Sequence, residues 1–386
     1  MEGFVFPNEL EITWSVMIVL YPYITGLVAG AFIVSSLYHV WGKGELQPIA
    51  RFSLASAFVF LLFAPLPLLV HLGHPERAFN IMITPNFQSA MAGFGFIYTA
   101  YLIVVTLEIW FVMREAFIAR ATSGPAPLRL LARIILLGNL HSDEHTREAD
   151  HRIARFLAGL GIPMACLLHG YVGFLFGSLK ANPWWSTPLM LIIFIFSAIV
   201  SGISILVFHY MVISKINRWK VDQTCIHALG KYLWGFMIIA VSLELLEVMS
   251  VAYKQTEEWE VINQLIMGKL FYSYVVAQYL IFSLIPFFLL AANALFNLRL
   301  KISNALVFIA STMLLVQVIL MRWNVIIGGQ LMSKSERGFT SYMPGIFEKE
   351  GVATAVVIFT LPFLILYLFH RFVPLFPPKE SDALSN

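Results

Sequence analysis

The sequence predicts an all-α polytopic membrane protein. About nine transmembrane helices are expected, as two four-helix bundles (spans one to four and five to eight) plus one C-terminal helix. Three observations carry this. Of 386 residues, 59% are hydrophobic and only 12% are charged, about half the charged share of a soluble domain. The apolar residues fall in runs of about 20 or more, the length that crosses a bilayer as a helix. Between the runs, basic residues are dense in every second loop, as the two sides of a membrane require.

The expected spans are 12–41, 52–72, 89–113, 156–178, 188–213, 232–253, 271–296, 305–327 and 352–371. They divide the protein into a first bundle (1–178) with a long loop over 114–155, a second bundle (179–327), and a terminal part (328–386) holding a loop, the ninth helix and a tail. Within the long loop, Pro127–Gly138 sets arginines among leucines and isoleucines. That pattern reads as a short interfacial helix in contact with membrane lipid, with docking on a partner as the alternative. Span one carries Gly26 and Gly30 in a GxxxG pattern, and span five carries small residues from Ser197 to Gly202; both suit close helix packing. The tryptophans Trp184, Trp185, Trp219 and Trp259 read as interfacial anchors.

Charge gives the orientation. Loops after odd-numbered spans, with the C-terminal tail, hold 17 of the 25 Lys and Arg, Arg114, Arg218 and Lys379 among them. The other side holds seven: Arg77, Lys180, Lys254, Lys269, Lys334, Arg337 and Lys349. The richer side is expected in the cytoplasm of a prokaryotic cell. The protein would sit in the inner membrane with its N-terminus outside and its C-terminus inside. Met1–Glu11 holds three glutamates and no basic residue, unlike the positive start of a cleaved signal peptide.

Several function classes drop out. No basic surface for nucleic acid stands out. The two cysteines, Cys166 and Cys225, form no CxxC, so neither a disulfide scaffold nor a protein-borne iron–sulfur cluster is expected. A cytochrome b would need histidine pairs at two depths. Here His71, His74 and His169 share one level and His209 stands alone at the other, so no protein-bound haem is expected, a single outer bis-histidine haem being the alternative. His141, His145 and His151 lie among acids, which reads as a solvated loop or partner contact rather than a metal site.

The candidate site surrounds His71-Leu72-Gly73-His74-Pro75-Glu76-Arg77-Ala78-Phe79-Asn80, between two apolar runs. Titratable groups at the mouth of a membrane helix are costly unless paired or used. Tyr21 and Thr25 share a face of span one, and His169 and Tyr171 lie in the same outer part of span four. Two residues apart, His169 and Tyr171 point in different directions on a helix. Such donors suit the carbonyl oxygens of a lipid-soluble quinone, with His71 or His74 exchanging its protons. A second set, Glu244 and Glu247 of span six, Glu108 of span three, Gln278 and Arg322, reads as a proton path, with Gln317, Asn324 and His209 as further partners. A hydrogen-bonded acid pair that merely holds helices is the alternative. Arg322 is expected to snorkel outward or to pair with an acid.

These residues resemble the NrfD/polysulfide reductase membrane-subunit family. The likeness covers spans one to eight. It rests on Trp14, Tyr21, Gly26, Ala29, Gly30 and Ala31; on His71 to Pro75 with Arg77 and Asn80; on Ser89 to Gly93; and on Tyr171-Val172-Gly173, Pro183-Trp184 and Pro188. His71 and His74 replace the family's usual aspartate and arginine. The His169-Gly170-Tyr171 version and an expected Gly328-Gly329-Gln330 loop look most like the membrane subunit that accompanies dissimilatory sulfite reductase complexes. The resemblance implies a subunit that binds menaquinone or another quinone in the first bundle, Tyr171 being the site tyrosine. It implies an outward-facing, multi-cluster iron–sulfur (ferredoxin-like) partner, with other subunits expected at loop 114–155; Arg77 is expected at the quinone site, either helping to seat that partner or stabilising semiquinone charge. The rival readings are an ion-coupled secondary transporter working through Glu244, Glu247 and Arg322, and a b-haem or passive membrane anchor.

Overall fold

A computed structural model describes residues 12–123, 125–255, 257–333, 336 and 338–376. The acidic stretch Met1–Glu11, and Lys334, Arg337 and Lys379 from the charge count, lie outside the described residues. Nine helices among those residues are long and apolar enough to cross a membrane: Val16–His39, Gly44–His71, Ala90–Ser123, Glu144–Gly177, Leu189–Ile216, Gln223–Lys254, Phe271–Leu295, Leu300–Gln330 and Val352–Phe372. No strand forms among them beyond one isolated bridge, Met332 to Phe339. The protein is therefore an all-α polytopic membrane protein.

Helix starts follow local side-chain chemistry. Ser15, Asp143 and Asp222 each accept a hydrogen bond from a backbone N–H of the first turn of spans one, four and six, which satisfies an otherwise orphaned donor. The second span breaks between Phe63 and Leu66, where Pro65 and Pro67 remove backbone donors. The seventh opens as a π-helix over Phe271–Ile281 and continues as an α-helix over Leu284–Leu295.

The expected loop 114–155 is corrected. The third span runs on to Ser123 and the fourth begins at Glu144. Helix continues beyond the apolar run because its polar residues find partners: Arg114 bridges to Asp150 at 3.0 Å and donates to the His141 carbonyl at 3.2 Å. The connector holds a ten-residue helix, Ala126–Ile135, with Leu130 and Ile134 exposed. Gly328 and Gly329 are helical, not a loop. With no Cβ there, Leu270 and the Trp185 indole pack directly on the eighth span. Trp184 and Trp185 are accordingly not surface anchors. Their indole N–H groups donate to the Asn324 and Val325 carbonyls at 3.0 and 2.6 Å.

The first span is the hub. It packs against spans two, four, five, eight and nine. Spans one to four neighbour each other in a ring, as do spans five to eight, and span five lies against spans one and four. Where spans one and five meet, Gly30 faces Gly202 backbone to backbone. One end of the molecule, the His71 end, also carries Gly177 and Gln330; the other carries Asp143, Asp222 and Phe372.

Candidate functional site

At the His71 end, the segment before the ninth span is strapped to the start of the first. Gln330 accepts from the Trp14 N–H at 2.8 Å and donates to the Trp14 carbonyl at 3.2 Å. The Val16 N–H donates to the Tyr342 hydroxyl at 3.2 Å. This strap brings Glu350 to His71, whose Nδ1 lies 2.7 Å from Glu350 Oε2. The Ser15 hydroxyl donates to the same oxygen. Partial burial raises the Glu350 carboxyl pKa, but the hydrogen bonds from His71 and Ser15, with the charges of His71 and Lys349, outweigh it and leave a net lowering. Glu350 escaped the sequence reading because it is 279 residues from His71, and an acid just ahead of a helix is unremarkable by spacing alone.

His74 and Arg77 do not join this pair. Each side chain is 67% exposed, and both turn toward Glu76 in the surface turn Pro75–Arg77. They belong to the outer surface of this end rather than to an enclosed pocket.

Below the mouth, two tyrosines converge on the first turns of the third span. Tyr21 is buried with its ring edge-on to Phe94 at 5.5 Å, and its hydroxyl has no hydrogen-bond partner. Tyr171 approaches the same helix where Gly93 leaves room for its hydroxyl, which donates to the Ala90 carbonyl at 2.6 Å. The neighbouring Tyr98 hydroxyl is also spent, on the Leu61 carbonyl at 2.7 Å. Thr25 donates to the Tyr21 carbonyl one turn back, at 3.1 Å, and so is satisfied within its own helix. An unpartnered buried hydroxyl costs about 1–3 kcal/mol. The Tyr21 O–H is thus an unspent donor.

His169 points away from this set, as the helical angle requires. Its ring packs on Gly26 and Phe194, and its Nε2 lies 2.9 Å from Arg322 Nη2. A guanidinium only donates, so Nε2 accepts, and the neutral imidazole carries its proton on Nδ1, which has no partner. Arg322 is fully buried, so the outward snorkel is corrected. It donates to the Ser197 hydroxyl at 2.7 Å and sits 3.8 Å over the Phe194 ring. No carboxylate lies within ion-pair distance of it among the described residues. Its charge is held by an imidazole, a hydroxyl and a π face, contributed by spans four and five.

Glu244 forms the centre of a separate network. It accepts from Gln278 at 2.9 Å and from Gln317 at 3.5 Å. Asn324 donates on to Gln278 at 2.8 Å, and Ser273 donates to Asn324 at 2.7 Å. The other Glu244 oxygen is unpartnered. Glu244, Glu247, Tyr274 and Gln278 line a cavity of about 60 Å³ that also reaches Trp184 and Thr187, enough for a few water molecules. Glu108 does not belong here. It is fully buried in the third span with neither oxygen partnered, and its expected partners Arg322, Gln317, Asn324 and Gln278 engage other groups. His209 is likewise without a hydrogen bond, edge-on to Phe52 and Phe363. A Glu244→Ala protein strands the amides of Gln278 and Gln317 and should lose about 2 kcal/mol, whereas Glu244→Gln should lose less. Thermal unfolding in detergent checks the order of the two.

Among the described residues no cluster of three His, Cys, Asp or Glu is placed to hold a metal. Cys166 and Cys225 are unpaired.

A family model described as "Polysulphide reductase, NrfD" matches residues 6–334. The sequence is 27% identical to a selenate reductase subunit of Mesobacillus selenatarsenatis, over 96% of its own length and 87% of that protein. It is also 27% identical to a polysulfide reductase chain of Wolinella succinogenes, over 50% of its own length and 56% of that protein. It is 20% identical to the Hdr-like menaquinol oxidoreductase integral membrane subunit of Archaeoglobus fulgidus, over 59% and 49%.

Proposed function

Because the protein belongs to the polysulphide reductase NrfD family, we propose that it is the quinone-reactive membrane subunit of a respiratory electron-transfer complex. It exchanges electrons between menaquinol, or another quinone, and an iron–sulfur subunit docked at the His71 end. That end faces outward from the cytoplasmic membrane, in line with the distribution of Lys and Arg. The reaction completed by the partner concerns sulfur or selenium compounds, in keeping with relatives named for polysulfide and selenate reductases. The subunit alone is not the enzyme.

The observation that carries this reading is the buried, unspent Tyr21 hydroxyl, a donor at the level where Tyr171 meets the third span. A bound quinol supplies two electrons and two protons. The protein's own residues then have three tasks. Tyr21 orients a ring oxygen by donating to it. Tyr171 sets the wall beside it through Ala90. His71, oriented by Glu350, moves protons at the mouth, since one imidazole ring can both accept and donate a proton. Exposed His74 and Arg77 lie where a partner would seat. In the second ring of helices, the cavity at Glu244 and Glu247 supports a proton path that uses Gln278. Glu108 and Arg322 lie outside that cavity.

Two single substitutions separate the tyrosines. Tyr21→Phe removes an unsatisfied hydroxyl, so it should leave stability unchanged or slightly raised. It should lower menaquinol oxidation by the assembled complex about tenfold, the worth of one hydrogen bond to the ligand. Tyr171→Phe loses the bond to Ala90 and should cost stability of about 1 kcal/mol. Full menaquinol oxidation by Tyr21→Phe would overturn the assignment.

A further inference from the structure

At the opposite end of the molecule, a cavity of about 680 Å³ opens where spans six, seven and eight terminate. That volume lies within the range of small-molecule sites. Its wall includes Gln223, His227 and Lys231, which follow one another at four-residue steps along span six and so share one face. The wall also includes Leu300 and Ser303 from the first turn of span eight. The first turn of span eight, which no side chain caps, thus adjoins this space, and helix N-termini favour anions; the start of span six is already capped by Asp222.

Lys231 gives the site its sense. It stands eight residues inside span six, roughly 12 Å from that span's start. The side chains of Lys231 and His227 are both exposed, so the two cations face the open space of the cavity rather than the helix packing. Lys231 has neither a carboxylate within ion-pair distance nor a hydrogen-bond partner among the described residues, and the same holds for His227. One acid shares the rim, Glu45, and it accepts from the Tyr232 hydroxyl at 3.3 Å. Deeper in, buried Asn293 is already satisfied by Ser303 at 2.6 Å. Next to these polar groups the rim is apolar and open: Phe296 is 65% exposed and Leu300 62%.

We propose that this cavity seats the phosphate of a phospholipid headgroup. Lys231 and His227 supply its cations, and the acyl chains leave past Phe296 and Leu300. A polar, cationic floor beside an exposed apolar lip matches an amphiphile and does not match a free soluble anion. No residue is shared with the quinone site, so the lipid site stands or falls separately from it.

The full-length protein is stripped of lipid in detergent and titrated separately with phosphatidylglycerol and with inorganic phosphate, bound adducts being counted by native mass spectrometry. Phosphatidylglycerol should bind, and Lys231→Met should weaken it about tenfold, the loss of one charge-assisted contact. Lys231→Arg should restore binding, and His227→Ala should weaken it in a protein that elutes as a single species. Lys215→Met, an exposed cation at the same end, should change nothing. Equal lipid binding by wild type, Lys231→Met and His227→Ala would overturn the proposal. So would inorganic phosphate binding as tightly as the lipid, which would make this a free-phosphate site.

Discussion

A Gly30→Leu variant should yield no stably folded protein. A Cβ at Gly30 would overlap the Ala198 carbonyl and the backbone of Gly202, and a Cβ at Gly202 would overlap the backbone of Gly30. These are contacts of backbone with backbone, so no rotamer change relieves them. Overpacking an ordinary core site costs about 1–3 kcal/mol, and this junction joins the hub helix to span five. A loss at or above the top of that range is expected, read as the yield of single-species protein after extraction and as its unfolding temperature. Two controls bracket the effect. At Gly26 an added Cβ meets the His169 ring at 3.3 Å, a tight contact but not an overlap with backbone, so Gly26→Ala should be milder. At Gly235 it meets nothing within 4 Å, and Gly235→Ala should be neutral or stabilising, because alanine is the better helix former. Normal yield and stability of Gly30→Leu would show that spans one and five do not meet as described.

His71→Leu should lower menaquinol oxidation about a hundredfold, the lower end of what a positioned proton-transfer group contributes, while the complex still co-purifies intact. The imidazole has one ring nitrogen engaged by Glu350 at 2.7 Å, which fixes the ring and leaves the other nitrogen for exchange. Glu350→Gln keeps the volume and loses the charge, so turnover should fall less than in His71→Leu. Unaltered turnover in His71→Leu would remove the histidine from the proton route. The pair also carries a pH signature in stability. The folded Glu350 carboxyl is net lowered from its ordinary value of 4.5. A depressed carboxyl contributes stability that is fully present above the ordinary value and is lost as pH falls through the lower folded value. Wild type should therefore lose its advantage over Glu350→Gln progressively as pH falls from about 4.5 through the lower folded value, which paired thermal melts across acidic pH will show.

The number and order of the spans were legible in the sequence because length and hydropathy are local properties that neither neighbours nor ligands alter. So were the small-residue patches at Gly30 and Gly202, although only packing revealed that they face each other. Helix ends were less legible. Arg114 looked like the close of a span, but its partner Asp150, in the next long helix, lets the third span continue. The candidate site divided along the same line. Spacing along one helix foretold that His169 and Tyr171 diverge, since side-chain angle follows from the helix period. Which hydroxyl stays free, which acid meets His71 and what holds Arg322 depended on residues from different spans. Arg322 and His169 are 153 positions apart, and His71 and Glu350 are 279. At such separations no periodicity links two residues, and their meeting is decided by how the helices pack around the first span. The sequence by itself thus determined a membrane protein with its donors and acids at identifiable depths. The tertiary structure decided which of those groups are already satisfied and which, like the Tyr21 hydroxyl, are left without a partner.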